Sequence, residues 1–216
     1  MSEKNPTQRQ HAPEGPSRRR TQGERSMAAE NALLDATETL IARRGVDQTS
    51  LADVGAEAGY SRGLVNHHFG SKAALIDRVA HRIQMDFLWS MREANGVPLE
   101  NLIDVYLSML MDNVDTSRSY FVIWGAAIPA ESPLRKAIVN NDRLFREGVE
   151  TLLREGQAEG TVAPHVNPTA TAIVIVGMLR GVAAQFLIDP PVVPVDSVIE
   201  ACRVLIRSIL TPPHTA

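Results

Sequence analysis

Residues 50–72 read SLADVGAEAGYSRGLVNHHFGSK, and this stretch constrains the fold more than any other part of the chain. Apolar residues recur with helical spacing across 51–58. Either Ser50 or Thr49 can cap this segment, and Gly59 can end it. Ser61 can cap a second short segment directly after the glycine turn. Two short helices across a tight turn form a helix-turn-helix, whose second helix can enter the major groove of DNA.

The string AGYSRGLVNHHFGSKAAL at residues 58–75 resembles the DNA-binding signature of the tetracycline-repressor (TetR) family of bacterial transcriptional regulators. The resemblance covers roughly residues 26–82. The family usually has tyrosine where this chain has Asn66, so the resemblance does not supply the contact at that position. The matching positions are Ala58, Gly59, Ser61, Gly63, His68, Phe69, Ser71, Lys72 and Leu75, with Thr49 and Val54 upstream.

The rest of the chain is predicted to be a succession of helices, because apolar residues keep helical spacing between glycine and proline breaks. The predicted fold is all-α. It comprises an N-terminal three-helix helix-turn-helix domain at 26–82 and a C-terminal helical ligand-binding and dimerisation domain at 83–216, the latter implied by the resemblance. Outside the helix-turn-helix pair, helices are expected at about 26–44, 71–94, 99–114, 119–128, 132–155, 168–188 and 196–210.

The charge of the chain is distributed unevenly. A net charge of −3 and a pI of about 6.1 argue against DNA binding through bulk charge. Residues 1–25 contain six basic and three acidic residues, whereas residues 83–216 contain ten and fifteen. Positive charge is therefore expected to collect on the recognition surface, at Arg62, Lys72, Arg78 and Arg82.

Residues 1–25 are predicted to form a disordered basic arm, because they are polar and almost devoid of apolar side chains. Its Arg18, Arg19 and Arg20 either form part of a solvated tail or reach into the minor groove beside the helix-turn-helix. Cys202 is the only cysteine, which excludes an internal disulfide and fits a reducing cytoplasm. No signal peptide or membrane span is expected from the pattern, so the predicted location is cytoplasmic, away from membranes.

The candidate DNA contacts lie on or beside the second helix of the motif. Cap hydroxyls and a lysine at a helix start suit phosphate oxygens, while Asn66 offers the donor and acceptor that match adenine. The alternative is that these are ordinary exposed polar residues. A metal site at the two histidines is disfavoured, because adjacent helical residues do not face one way, and no metal or cofactor is predicted. The candidates are Ser50, Ser61, Arg62, Gly63, Asn66, His67, His68 and Lys72.

The resemblance implies an apolar effector cavity and a dimer formed by the last two helices. For any single candidate, ordinary core packing is an equally good interpretation, and Arg180 could instead pair with Glu200. Glycines spaced by four allow a second helix to approach closely, either within the core or between two copies. The ligand candidates are Trp89, Tyr106, Met109, Phe121, Trp124 and Arg180, and the dimer candidates are Gly177, Gly181 and Val204.

These observations predict a homodimeric, ligand-responsive transcriptional regulator, a repressor in most members of the family. Its partners would be double-stranded DNA with a palindromic operator, a small and largely apolar effector, and a second copy of the chain. No nucleophile elbow, phosphate loop or paired carboxylates appear, so no enzyme is predicted. The alternative function is a helical carrier or sensor of apolar molecules that does not bind DNA.

Overall fold

The computed structural model describes residues 21–93 and 99–210, and these contain nine α-helices and no β-strand. The all-α prediction is confirmed. Most of the arm predicted at 1–25, including its three consecutive arginines, lies outside the described residues. The first four helices are α1 Gln22–Arg44, α2 Leu51–Ala58, α3 Arg62–Phe69 and α4 Lys72–Glu93.

Helix α1 begins four residues earlier than the sequence pattern predicts. The Thr21 hydroxyl accepts a hydrogen bond from the Glu24 backbone N–H at 3.2 Å, and the Glu24 carboxylate accepts one from the Thr21 backbone N–H at 2.6 Å. This reciprocal cap satisfies two N–H groups of the first turn. The prediction missed it because residues 22–25 carry no apolar side chain that would mark a helix.

Helices α1 to α4 enclose a small core. Its central side chains, Leu33, Ile41, Val54, Val65 and Val79, are fully buried. The apolar spacing of the sequence therefore brings one side chain or more from each of the four helices into contact, and this packing fixes how α3 is presented on the surface.

Five further helices complete the described chain. Their bounds are α5 Leu99–Asp112, α6 Val114–Ala126, α7 Arg135–Glu159, α8 Pro168–Ile188 and α9 Val195–Leu210, with a short 3₁₀ turn at Pro190–Val192. Phe145, Leu153, Ile175, Leu179 and Ile206 are almost fully buried at the centre of this second group.

Two helix starts in this part differ from the prediction. Helix α6 begins at Val114, five residues before the predicted start. The prediction missed this start because no glycine or proline separates α6 from α5. Helix α7 begins at Arg135 rather than Ser132. The Ser132 hydroxyl accepts from the Leu134 backbone N–H and donates to the Ala126 carbonyl, so it closes the preceding turn instead of capping the helix.

The two groups of helices are packed against each other. Four residues at the end of α6 and around the start of α7 belong to the same buried cluster as the N-terminal core: Ile123, Ala127, Leu134 and Ile138. The boundary predicted between residues 82 and 83 lies inside α4, which contacts α1 as well as α5, α6 and α7. The domain limits stay a prediction, and α4 and α6 pack against α1 as well as against the C-terminal helices.

Candidate functional site

The start of α2 is held by Ser50 and Asp53. The Asp53 backbone N–H donates to the Ser50 hydroxyl at 3.2 Å, and the Ser50 backbone N–H donates to the Asp53 carboxylate at 3.0 Å. Arg44 forms an ion pair with the same carboxylate at 3.0 Å. The hydrogen bonds from Ser50, followed by the charge of Arg44, hold the pKa of Asp53 below its ordinary value. The Ser50 side chain is therefore first of all a helix cap.

The crossing of α2 and α3 depends on Gly55, which the sequence interpretation missed. A Cβ atom at this position would lie 2.8 Å from the Tyr60 carbonyl oxygen and 3.2 Å from the Arg62 backbone nitrogen. The Tyr60 N–H donates to the Gly55 carbonyl at 2.7 Å, and Gly59 adopts the left-handed conformation that the turn requires. A glycine in the middle of an eight-residue helix was the available signal.

Helix α3 presents one exposed face. Ser61 caps it by accepting a hydrogen bond from the Leu64 N–H at 3.2 Å, and Val65 anchors its buried side. His68 is half-buried, with its ring centroid 5.9 Å from that of Phe69. The exposed residues are Arg62, Gly63, Asn66 and His67, which follow helical spacing along one surface.

At two positions of this face, Arg62 and Gly63, contacts within the described part of the chain do not explain the residue that is present. Within the described part of the chain, Arg62 forms no ion pair. A Cβ atom at Gly63 would meet only the Ser61 hydroxyl at 3.6 Å, an ordinary contact. The packing of the chain therefore does not require glycine at position 63, whereas close approach by an external surface would.

Fewer unpaired basic residues lie in this region than the sequence predicts. Arg78 pairs with Glu30 at 3.2 Å. Arg82 pairs with both Asp35 and Glu38, which also lie on α1. The expectation that these two arginines add to the recognition surface is therefore wrong, because α1 places carboxylates beside them. Lys72 remains at the start of α4, half-buried, with its ammonium donating to the Asp47 carbonyl at 3.2 Å.

A cavity of about 520 Å³ lies between α1, α4, α5, α6, α7 and α8. Its volume is in the range that holds a drug-sized molecule. Tyr106, Met109, Phe121 and Arg180 line it, so the structure brings four of the six ligand candidates together. Trp89 does not line the cavity. It lies on α4 with 56% of its surface exposed.

The inner end of the cavity is built around Arg180. Its guanidinium donates to the Asp142 carboxylate at 2.6 Å, whereas Glu200, the partner weighed from the sequence, pairs with Arg203 at 3.4 Å. Trp124 does not line the cavity, and its indole N–H donates to the other Asp142 oxygen at 3.3 Å. Asp142 comes from α7, and nothing in the local sequence pattern could have joined it to residues on α6 and α8.

Two further polar residues of the cavity were missed. Gln84 of α4 is only 4% exposed, and its side-chain oxygen accepts a hydrogen bond from the Tyr120 hydroxyl at 3.3 Å. Burial raises the pKa of Tyr120 to about 12, against a smaller lowering effect of Arg180. The phenol is therefore protonated at neutral pH. A glutamine among the apolar positions of α4 was the signal for this site.

The outer end of the cavity includes the helix-turn-helix domain itself. Glu38 of α1 is 9% exposed and accepts hydrogen bonds from Arg82 of α4 and from the Thr116 hydroxyl of α6, the latter at 3.0 Å. All three side chains line the cavity. A molecule in the cavity therefore lies against an ion pair that connects α1 to α4 and a hydrogen bond that connects α1 to α6.

The last two helices expose an apolar surface, here called the α8–α9 face. Gly177 and Gly181 are exposed, and no atom would lie within 4 Å of a Cβ at either position. The exposed apolar residues of the two helices are Ile173, Val174 and Ile188 of α8 and Val204, Leu205 and Ile209 of α9. Among the described helices, α8 alone is long and apolar enough to cross a membrane by length and composition, a test that core helices of soluble proteins also pass.

Two family models match this chain. Residues 33–79 match the bacterial regulatory proteins of the tetR family, and residues 98–211, more than half of the chain, match the C-terminal domain of BetI-type transcriptional repressors. The protein is thus a DNA-binding transcriptional regulator of helix-turn-helix type. It belongs to the TetR family, as the sequence resemblance predicts.

Comparison with individual proteins agrees with this assignment. The chain is 25% identical over 193 residues to the HTH-type transcriptional repressor KstR2 of Rhodococcus jostii, covering 84% of this chain and 91% of the repressor. A TetR-family regulator from Rhodococcus sp. superposes with a TM-score of 0.75 at 19% identity, over 86% of this chain and all of the other. A Saccharomonospora viridis regulator in complex with choline gives a TM-score of 0.73 at 19% identity, over 86% and 99% of the two chains.

Proposed function

We propose that this regulator is a cytoplasmic homodimeric repressor that binds a palindromic operator and is released by a small, largely apolar effector. The observation that carries the proposal is the cavity, which is lined by α1 and α4 of the helix-turn-helix region and by α5 to α8 together. One bound molecule can therefore contact both the DNA-binding and the C-terminal helices.

The exposed face of α3 is proposed to enter the major groove. Arg62 and Asn66, one helical turn apart, would contact base edges, and Gly63 would permit close approach. The cap hydroxyls, the exposed N–H groups at helix starts and the ammonium of α4 would hold phosphates, as such groups do at helix N-termini. The proposed DNA contacts are Ser50, Ser61, Arg62, Gly63, Asn66, His67, His68 and Lys72.

The α8–α9 face is proposed as the dimer interface. A large exposed apolar surface is costly in a monomer, and a second copy would cover it. Gly177 and Gly181 would allow the two α8 helices to approach closely, with Val204 of α9 at the edge of the contact. The apolar residues of α8 would then pack in the core on one side and in the dimer interface on the other. This arrangement would account for the apolar composition of α8 without a membrane.

The effector is proposed to act by shifting the spacing of the two recognition helices. DNA requires them about 34–36 Å apart, one helical turn. A molecule that prefers another arrangement of α4 and α6 lowers DNA affinity, by no more than its differential affinity for the two arrangements. Among the ligand candidates, Tyr106, Met109, Phe121 and Arg180 line the cavity, while Trp124 would act through Asp142.

The test is selection of genomic DNA fragments by the purified protein, followed by gel shift of the selected fragments. We expect fragments that share an inverted repeat and a complex of two chains per site. The double variant Arg62→Ala/Asn66→Ala should lose the shift without change in thermal stability, because both side chains are exposed and make no side-chain hydrogen bond within the described chain. Absence of any selected fragment would favour the carrier function instead.

A further inference from the structure

Gln84 carries a buried hydrogen-bond donor that the protein does not use. The side chain is 4% exposed and lines the cavity, yet its amide nitrogen Nε2 has no hydrogen-bond partner among the described residues. A buried donor without an acceptor is unfavourable, and most such groups in proteins are paired. A ligand that brings an acceptor to this point would satisfy it.

The direction of the neighbouring hydrogen bonds explains why the donor is left over. A guanidinium can only donate, and the Arg180 guanidinium donates to the Asp142 carboxylate at 2.6 Å. The Tyr120 hydroxyl donates its proton to the Gln84 oxygen at 3.3 Å. The amide oxygen is thereby engaged, and the amide nitrogen is left unpaired within the wall of the cavity. At this end of the cavity, the Gln84 amide nitrogen is therefore a buried donor without an acceptor among the described residues.

Two aromatic side chains near this end already contact a cation of the chain itself. The Arg180 guanidinium carbon lies 5.8 Å from the centre of the Phe145 ring and 5.5 Å from that of Trp124. Phe145 also packs against Phe87 and Tyr106, with ring centres 4.8 and 5.8 Å apart. A quaternary ammonium needs such ring faces free, and here it would meet Arg180 instead.

The outer end offers no better place for a cation. Asp35 and Glu38 both pair with Arg82, and Glu38 accepts a further hydrogen bond from Thr116. Asp86, the remaining acidic residue of the lining, is exposed to solvent, where its attraction is screened.

We infer that the cavity selects an amphipathic molecule with an apolar body and a hydrogen-bond-accepting head group of carboxylate or carbonyl type, and that it disfavours a quaternary ammonium of the choline type. The head would accept from Gln84 Nε2 beside Arg180, and the body would lie along Met109, Phe121 and Phe87. This inference rests on the proposed function, in which the cavity is the effector site.

The experiment compares two probes with the same tail. Decanoate and decyltrimethylammonium, each below its micelle concentration, are titrated into the full chain by calorimetry. We expect decanoate to bind at least tenfold more tightly than the cation. Equal or tighter binding of the cation, or no binding of decanoate, would overturn the inference.

Variants at Gln84 sharpen the comparison. Gln84→Met keeps the length of the side chain and removes the donor, so decanoate binding should weaken about tenfold, as expected for a hydrogen bond to a charged group. Gln84→Glu should lose decanoate and gain the cation. The matched control is Asn141→Leu, because Asn141 also has a buried unpaired amide nitrogen but does not line the cavity. Unchanged decanoate binding in a folded Gln84→Met would contradict the assignment.

A separate readout distinguishes this inference from the proposed function. Release of the selected DNA by decanoate is measured by gel shift. Binding of decanoate without release would leave the ligand class standing and refute the effector role of the cavity. Release of the DNA by the cation, with no effect of decanoate, would leave the effector role of the cavity standing and refute the ligand class.

Discussion

Replacing Gly181 with leucine tests whether the α8–α9 face joins two copies. Within one chain this change has little to disturb, because Gly181 is exposed and no atom lies within 4 Å of a Cβ built there. Glycine is also about 0.8–1.0 kcal/mol less favourable than alanine inside a helix, and leucine ranks close to alanine. The isolated chain should therefore become slightly more stable.

In the proposed dimer the effect has the opposite sign. Overpacking a close contact costs about 1–3 kcal/mol for each added side chain. A two-fold axis introduces the leucine twice, so the total is about 2–6 kcal/mol. At 1.4 kcal/mol per factor of ten, dimer dissociation should rise about 30-fold to more than 10⁴-fold. Operator binding should fall with it, because a palindrome is contacted by two chains.

Sedimentation velocity over a dilution series measures this directly, with thermal unfolding of the same samples. Thr151→Leu is the control, because it adds leucine to an exposed position of α7, outside the α8–α9 face. We expect Gly181→Leu to give monomer or aggregate and Thr151→Leu to stay dimeric. A Gly181→Leu protein that remains dimeric at nanomolar concentration and binds DNA normally would refute the reasoning and place the interface elsewhere.

Two predictions concern DNA contacts. Lys72→Ala should weaken binding to all sequences about equally and lower the salt slope by about one, because an ammonium at this position suits a phosphate; a loss confined to the cognate operator would mean that Lys72 contacts a base. Asn66→Ala should relax the preference at one symmetric pair of operator positions, by about 1–3 kcal/mol, if its amide contacts adenine. Binding to operators randomised at each position measures this, and uniform weakening would contradict it.

The order of the helices could be predicted from the sequence because glycines, prolines and caps mark most of their ends. Asn167 does cap α8 with proline at its first position, and Gly59 does end α2 in a left-handed conformation. The errors arose where ends are set by something other than a local apolar pattern. Thr21 caps a turn with no apolar residue, and Ser132 is drawn into a hydrogen bond with Ala126.

The cavity was predictable only in part, for a related reason. Aromatic and methionine residues at helical spacing could be recognised as cavity or core, and Tyr106, Met109 and Phe121 do line the cavity. The polar residues could not be assigned, because their roles depend on partners far along the chain. Arg180 pairs with a residue 38 positions away, and Gln84 with one 36 positions away.

The ion pair at the outer end suggests how ligand binding could reach the DNA surface without a large movement. Glu38 is almost fully buried, so its carboxylate needs both Arg82 and Thr116 to replace water. Movement of α6 away from α1 would break the hydrogen bond between Thr116 and Glu38, and it is costly to leave a buried charge without a partner. The cluster therefore favours discrete arrangements over gradual ones. A ligand that displaces α6 would then move α1 and α4 together, and with them the recognition helix.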